Sequence, residues 1–570
     1  MNFRLLVLST VFILFGCAHS PNESSSQNFA LQVTMEHLSK RDAWKVTFHT
    51  SEPTSNLIFD RQINRFRTKT WKPLTPGISV IEKDNQEQIV SASPFQDASF
   101  EFDSYYEMTP KDYEFFQAFS DGSVVMYTGH LNACPKDKEC KQPVEFSFIP
   151  RADERGIVSG SIFTTTYKWT DEAERGTYVY FGNINPIITK FLTAIIDPKL
   201  PGWIYKKIDS LLPKLFEHYA KRTSEPLTFK PFVFLNYAAD GEGNNSHGGT
   251  LPGLIQLSLK GKGWSKPDTE SFIDLARFLA HESAHIWNGQ LFPYASRDMW
   301  MHEGGADAFA YLSLFELNVI DRKRFLDFQS EAFNDCLSTV KNRPLMEVKE
   351  DPGYRSHYRC GSMIALLSHS AAQKTNKEHD LFFFWNQLFE ATKASGKPYT
   401  EEMYFSTLDR VAGDVDLIQS IKYLLRGPIT NVKDTYLHEF EKFDVKVEAS
   451  EADLPRDYNI RIGRSLLRSL MAKDCGGKYG LTSGSNGIET EGIEVCRIFK
   501  KPLFVTHINS ISIIRKGAKA YDEVKKICSV ERQSVNLTIK GTRKILSADC
   551  PNELAARENY LKISNVPLKK

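Results

Sequence analysis

Residues 268–289, DTESFIDLARFLAHESAHIWNG, constrain this 570-residue chain more than any other segment. Asp268 and Thr269 are helix-starting residues, Phe272, Leu275, Ala276, Phe278 and Leu279 follow at helical spacing, and Gly289 supplies a stop. Inside the helix so predicted stand His281, Glu282 and His285. Residues four apart lie one turn above each other, so both imidazoles leave the same face. Two neutral imidazoles so placed can hold one Zn2+, with Glu282 beside the open coordination position as a base. A buried helix with two hydrogen-bonded histidines would give the same letters, so a third ligand has to decide between the two.

Glu303, eighteen positions after His285, is the candidate, within Trp300, Met301, His302, Glu303, Gly304, Gly305, Ala306 and Asp307. The apolar residues around it predict a second, buried helix starting near Ser296 or Asp298. Buried carboxylates need a partner, and a metal held with histidines supplies one. Asp307 lies one turn beyond Glu303, placed to accept the second ring N–H of a ligating histidine. The site expected is therefore one Zn2+ on His281, His285 and Glu303, with Asp307 behind it.

An HExxH helix followed by a glutamate in a W-x-x-E-G context resembles the gluzincin metallopeptidases of the aminopeptidase-N and glycyl-aminopeptidase types. His285, Ile286, Trp287, Asn288 and Gly289 are most similar to the glycyl-aminopeptidase type, and Glu303 with Asp307 resembles the thermolysin arrangement. The resemblance implies zinc-dependent peptide hydrolysis with Glu282 as base. It also implies a tyrosine that steadies the oxyanion, ahead of a Gly-led apolar helix. Tyr358, before Arg359, Cys360 and Gly361, matches that place, with Tyr354 a turn earlier.

One departure stands out. The aminopeptidase-N type carries Gly-x-Met-Glu-Asn upstream of the helix, whose glutamate grips the substrate's free amine. The matching stretch here runs Gly249, Thr250, Leu251, Pro252, Gly253, Leu254. A substrate-edge role for Gly249, Thr250 and Leu251 is still expected, and aminopeptidase-like action is expected without the usual carboxylate. The alternative is a catalytically reduced peptidase fold serving as a scaffold or binding lipoprotein.

The chain opens MNFRLLVLSTVFILFGC, a short apolar run behind one arginine, which reads as an export signal rather than a membrane span. Leu14, Phe15, Gly16 and Cys17 resemble a bacterial lipobox, implying a lipid on Cys17 and a cell-envelope location. Ala18, rather than Asp, follows it and favours the outer membrane. Removing Cys17 from nine cysteines leaves eight, an even number suited to an oxidising compartment. Their spacing suggests the neighbouring pairs Cys134–Cys140, Cys336–Cys360, Cys475–Cys496 and Cys528–Cys550. With 71 basic and 70 acidic residues and no long basic block, nucleic acid is not an expected partner.

The fold class expected is multidomain α+β. A lipoprotein signal (1–17) and a flexible tether (18–27) precede an N-terminal β-sandwich (28–185), where Leu31–Met35, Trp44–Phe48 and Val144–Phe148 alternate with period two. A thermolysin-like, mainly helical catalytic domain (186–445) follows. Within it, residues 201–222 read as a helix that Pro213 should interrupt or kink, and residues 240–249 read as a glycine-rich loop. Residues 456–570 form a strand–helix–strand region that resembles the second half of a PDZ domain.

Overall fold

The computed structural model describes residues 30–568 apart from 40–41, 63–64, 107–112, 137, 139, 141, 173–175, 242–243, 349–354, 429–430, 453, 485, 530–532, 542–544, 552–553, 555–556 and 558. Cys17, the tether and Tyr354 lie outside the described residues. Two compact units result. The first takes the described residues up to Phe115, Tyr127–Gly156 and Phe163–Gly176; the second takes Phe116–Met126, Ile157–Ile162 and the chain from Thr177 onward. The architecture is multidomain α+β, with a β-rich N-terminal region followed by a mainly helical one.

In the first unit, an eight-stranded sheet runs in the order Tyr167–Asp171, Val144–Ile149, Leu31–His37, Ala43–Phe59, Gln86–Asp103, Lys72–Pro73, with two further strands beside this path. Alternation buries Leu31, Val33 and Met35 and turns the residues between them outward. Leu31–His37 pairs antiparallel with Ala43–Phe59 but parallel with Val144–Ile149. The second pairing is parallel because the chain returns to the strand from far away rather than through a hairpin.

The second unit holds a five-stranded sheet. Ile187–Ile188 lies at one edge, followed by β1 (Thr193–Ile196), β2 (Phe232–Ala238), β4 (Leu254–Lys260) and, at the other edge, β3 (Asn245–Leu251). β1, β2 and β4 are parallel, and β3 runs antiparallel to β4. The glycine-rich loop expected at 240–249 is thus a strand from Asn245. Gly248 is required there, since a Cβ would meet the Gln256 carbonyl of β4.

Helix α1 (Gly202–Arg222) continues through Pro213 instead of stopping. A proline inside a helix costs about 3 kcal/mol. Leu211, Leu212, Leu215 and Phe216 are buried around it. Each such side chain is worth roughly 1.5–3 kcal/mol, so packing outweighs the lost hydrogen bond.

The helices that follow are α2 (Thr269–Ala284), α3 (Met299–Glu316), α4 (Arg322–Val340) and α5 (Arg355–Thr375). Leu381–Ser395, Glu401–Ala412, Val415–Arg426 and Val432–Lys442 complete the helical layer. α2 and α3 share one hydrophobic core with α4, α5 and the sheet. α3 and α5 approach closely at two glycines: a Cβ on Gly304 would meet Gly361 backbone, and one on Gly361 the Trp300 carbonyl.

The described residues from Arg456 to Tyr560 have a core of their own, from helix Arg456–Asp474, helix Gly517–Cys528 and an antiparallel sheet. Strand Tyr560–Asn565 then leaves it and pairs with Lys446–Ser450, burying Leu561 and Ile563 in the helical core. Asn334 of α4 substitutes for a neighbouring strand, accepting from Leu561 N at 3.0 Å and donating to Leu561 O at 2.7 Å. The four disulfides are Cys134–Cys140, Cys336–Cys360, Cys475–Cys496 and Cys528–Cys550.

Candidate metal centre and active site

α2 starts on Asp268, whose carboxylate accepts from Ser271 N at 2.9 Å. It ends at Ala284, with His285 as its cap, rather than running to Gly289. Turn hydrogen bonds take over there, with Gln290 N donating to His285 O and Leu291 N to Ile286 O. His285 keeps helical backbone angles, so it remains one turn above His281. Their Nε2 atoms lie 3.1 Å apart. Glu303 Oε2, from the first turns of α3, is 3.3 Å from His281 Nε2 and 3.4 Å from His285 Nε2. All three side chains are buried.

The outer nitrogens settle which atoms face this point. His281 Nδ1 is 3.0 Å from Asp307 Oδ1, and His285 Nδ1 is 3.3 Å from the Asn288 carbonyl. Both partners are acceptors, so each Nδ1 carries the proton and each neutral ring turns a bare Nε2 inward. Two nitrogen lone pairs and a carboxylate oxygen then converge with no donor between them, and Glu303 Oε2 has no hydrogen-bond partner. Such a cluster is repulsive unless a cation sits in it. The donor atoms lie within 4.8 Å of one another. Two imidazoles and one carboxylate suit Zn2+ with a coordination position left open. Asp474, Cys475 and Cys496 also cluster, but the two sulfurs are joined in a disulfide and offer no thiolate.

In the metal-free site a proton takes the cation's place. Burial opposes a charge on His281, but the Asp307 and Glu303 carboxylates outweigh it and raise its pKa to about 10. Burial works against ionised Glu303 too, yet the two imidazoles hold it well below the usual carboxylate range. Asp307 is likewise held down against burial by Arg359 and His281. Burial and the neighbouring His285 keep His302 neutral; its ring packs between His285 and Tyr294 at centroid distances of 4.1 and 4.0 Å.

Glu282 is buried beside the ligands, and its Oε2 accepts from Thr250 Oγ1 at 2.7 Å. Tyr358 lies in the first turn of α5, with Gly361 inside the helix rather than at its head. Its ring stacks over His281, centroids 5.4 Å apart. Of the residues expected at the substrate edge, Thr250 reaches the site through its hydroxyl. The Leu251 carbonyl accepts from Gln290 Nε2 at 2.6 Å, and Gly249 pairs with Gln256 in the sheet.

Several supporting residues go beyond those the sequence points to. Arg359 Nη1 donates to Asp307 Oδ2 at 3.0 Å and to Tyr311 OH at 2.6 Å, and that hydroxyl donates to Asp307 Oδ2 at 3.1 Å. Asn288 donates to the His302 carbonyl at 2.8 Å and accepts from the Tyr399 hydroxyl. The signal for Asn288 is its place in the Trp287–Asn288–Gly289 exit from the helix. Arg359 carries no spacing signal, only adjacency to Tyr358.

The chain shares the fold of an aminopeptidase N family protein. That protein, from Idiomarina loihiensis, aligns over 94% of this chain and 98% of its own with a TM-score of 0.60 at 12% identity. An M1 zinc metallopeptidase from Deinococcus radiodurans aligns over 70% of this chain and 93% of its own, with a TM-score of 0.41 at 14% identity. No family model matches the sequence. No curated protein matches it either.

Proposed function

We propose that this chain is a zinc-dependent metallopeptidase, with one Zn2+ on His281, His285 and Glu303. The observation carrying this reading is the convergence of three buried ligand atoms, each histidine fixed from behind by an acceptor. Zn2+ in that place supplies Lewis acidity to the scissile carbonyl and lowers the pKa of water. The protein's own groups do the rest. Glu282 takes the proton of the attacking water and passes it to the leaving nitrogen. Tyr358 donates to the oxygen on which negative charge develops. β3 ends its sheet, and an extended peptide laid along Gly249, Thr250 and Leu251 would add a strand to it.

The action expected is aminopeptidase-like, in keeping with the fold shared with an aminopeptidase N family protein. Pro252 and Gly253 form a two-residue turn where the resembled enzymes carry their amine-binding glutamate. In our reading the chain is a lipoprotein anchored at Cys17 in the cell envelope, with a PDZ-like body after residue 456. A lipid-anchored scaffold is the second reading, favoured by that same turn.

The test is metal content and hydrolysis of a peptide library by protein lacking residues 1–17, beside Glu282→Gln. One zinc per chain with N-terminal trimming lost in Glu282→Gln is the expected result. Internal cleavage would replace the aminopeptidase reading by an endopeptidase. Zinc without turnover would favour the scaffold, and absence of zinc would sink the site.

A further inference from the structure

Thr250 stands among residues expected to meet substrate, yet its hydroxyl is turned the other way. Oγ1 lies 2.7 Å from Glu282 Oε2 and 2.8 Å from the Glu282 backbone carbonyl. A hydroxyl has one proton and two lone pairs. Whichever oxygen receives the proton, the hydroxyl sits between the carboxylate and the main chain of one residue and fixes the side chain against its own helix.

The strand is held firmly enough to serve this purpose. Seven register pairs join β3 to β4, with Thr250 opposite Ile255. One residue beyond Thr250, Gln290 grips both sides of the turn: its Nε2 donates to Leu251 O at 2.6 Å and its Oε1 accepts from Gly253 N at 2.9 Å. Gln290 belongs to the loop that leaves α2, and its own N–H donates to His285 O. The base-bearing helix and the edge strand are therefore tied at two points, one of which is the base itself.

We propose that Thr250 is a positioning residue for Glu282, and that it couples the placement of the base to the strand along which substrate lies. The rate effect rests on the peptidase reading above; the geometry does not. A hydroxyl suits the task because it can follow the base through a proton transfer. It donates to the carboxylate before the water's proton arrives. Afterwards it swings its proton to the backbone carbonyl and accepts from the carboxyl group, which then releases that proton to the leaving nitrogen. No covalent bond changes at Thr250; its hydroxyl keeps its proton and only exchanges hydrogen-bond partners.

Thr250→Val and Thr250→Ser test the assignment. Valine keeps the branched shape and strand preference while removing the hydroxyl; serine keeps the hydroxyl. For each variant the measurements are the crystal structure, zinc content, and kcat and KM on a library peptide that the wild type cleaves. In Thr250→Val the Glu282 carboxylate should leave its place, zinc should stay at the wild-type level and KM should hold within about twofold. kcat should fall about tenfold to a hundredfold, the scale of a misplaced catalytic group. Thr250→Ser should recover kcat to within about threefold of wild type, since the loss follows the hydroxyl. A carboxylate that stays in its wild-type place in Thr250→Val overturns the proposal, as does an unchanged kcat or a rise in KM alone, which would mark a substrate contact. If wild-type protein cleaves no peptide, the peptidase reading fails and the carboxylate position alone decides this one.

Discussion

Loading zinc into the metal-free protein should expel a proton, and the cost of doing so can be worked out. His281 has a pKa of about 10: burial lowers it, but the Asp307 and Glu303 carboxylates raise it by more. Zinc needs the neutral ring, so each pH unit below 10 weakens apparent affinity about tenfold. At pH 7 that is about a thousandfold, or about 4 kcal/mol, relative to the plateau above pH 10. A histidine at the ordinary 6.5 would carry almost no penalty at pH 7. Chelator competition from pH 6.5 to 9 should give a slope near one in log Kd, and calorimetry in buffers of different ionisation heat should count about one proton released per zinc. Asp307→Asn removes one of the two carboxylates, so the slope should flatten while affinity falls about ten- to a hundredfold. A flat pH profile with no proton release would refute the argument. The same shift has a sign for stability. Because the folded pKa of His281 is raised, its contribution is fully present below pH 6.5 and lost as pH rises through 10 in metal-free protein. Glu303, held low, contributes above its ordinary range and loses that contribution toward acid.

Glu282→Gln should keep its zinc and lose about 10²–10⁴ in kcat, read from metal analysis and peptide hydrolysis. Gly361→Ala drives a methyl toward the Trp300 carbonyl and Gly304, so unfolding should come about 1–3 kcal/mol earlier in denaturant, with weaker zinc because Glu303 is next to Gly304. Replacing Cys336 and Cys360 by serine opens a loop of sequence separation 24 and should cost about 3 kcal/mol, checked by the denaturation midpoint.

The local part of the site was legible because helical geometry is local. One turn relates His281 to His285 and Glu303 to Asp307, so periodicity alone put each pair on one face. That the two faces meet depends on α2 packing against α3 in one core, and the close approach of α3 to α5 at Gly304 and Gly361 is likewise a long-range contact that spacing does not encode. Strand alternation marks both Leu31–Met35 and Val144–Phe148 as strands but not their parallel pairing, since pairing at long range leaves no periodic trace. Residues 240–249 read as a loop because of their glycines, which mask a strand from Asn245 held by its neighbour rather than by its own propensity. At Pro213 the helix is not interrupted, because the local penalty is overridden by the core around α1.

The outer layer, invisible to spacing, shows why so many charges can be buried here. Asp307 is flanked by His281 and Arg359; Arg359 is flanked in turn by Asp335, at 3.8 Å, and Asp335 by Arg461 of helix Arg456–Asp474, at 3.0 Å. Sign alternates along this row of groups, so each of its charges has a neighbour of opposite sign. Breaking the chain should hurt in proportion to depth. Arg359→Met takes from buried Asp307 its ion-paired guanidinium and leaves it to His281 and Tyr311, and removing one partner of a buried pair costs about 3–5 kcal/mol. Asp335 is 42% exposed, so Asp335→Asn should cost at most about 1 kcal/mol. Arg359→Met should also weaken zinc binding although it reaches no ligand directly, because Asp307 would no longer hold His281 as an ionised acceptor. Denaturation midpoints and zinc affinities of both variants decide it. Equal losses in the two would mean that the alternation is a surface pattern and that something else keeps Asp307 ionised.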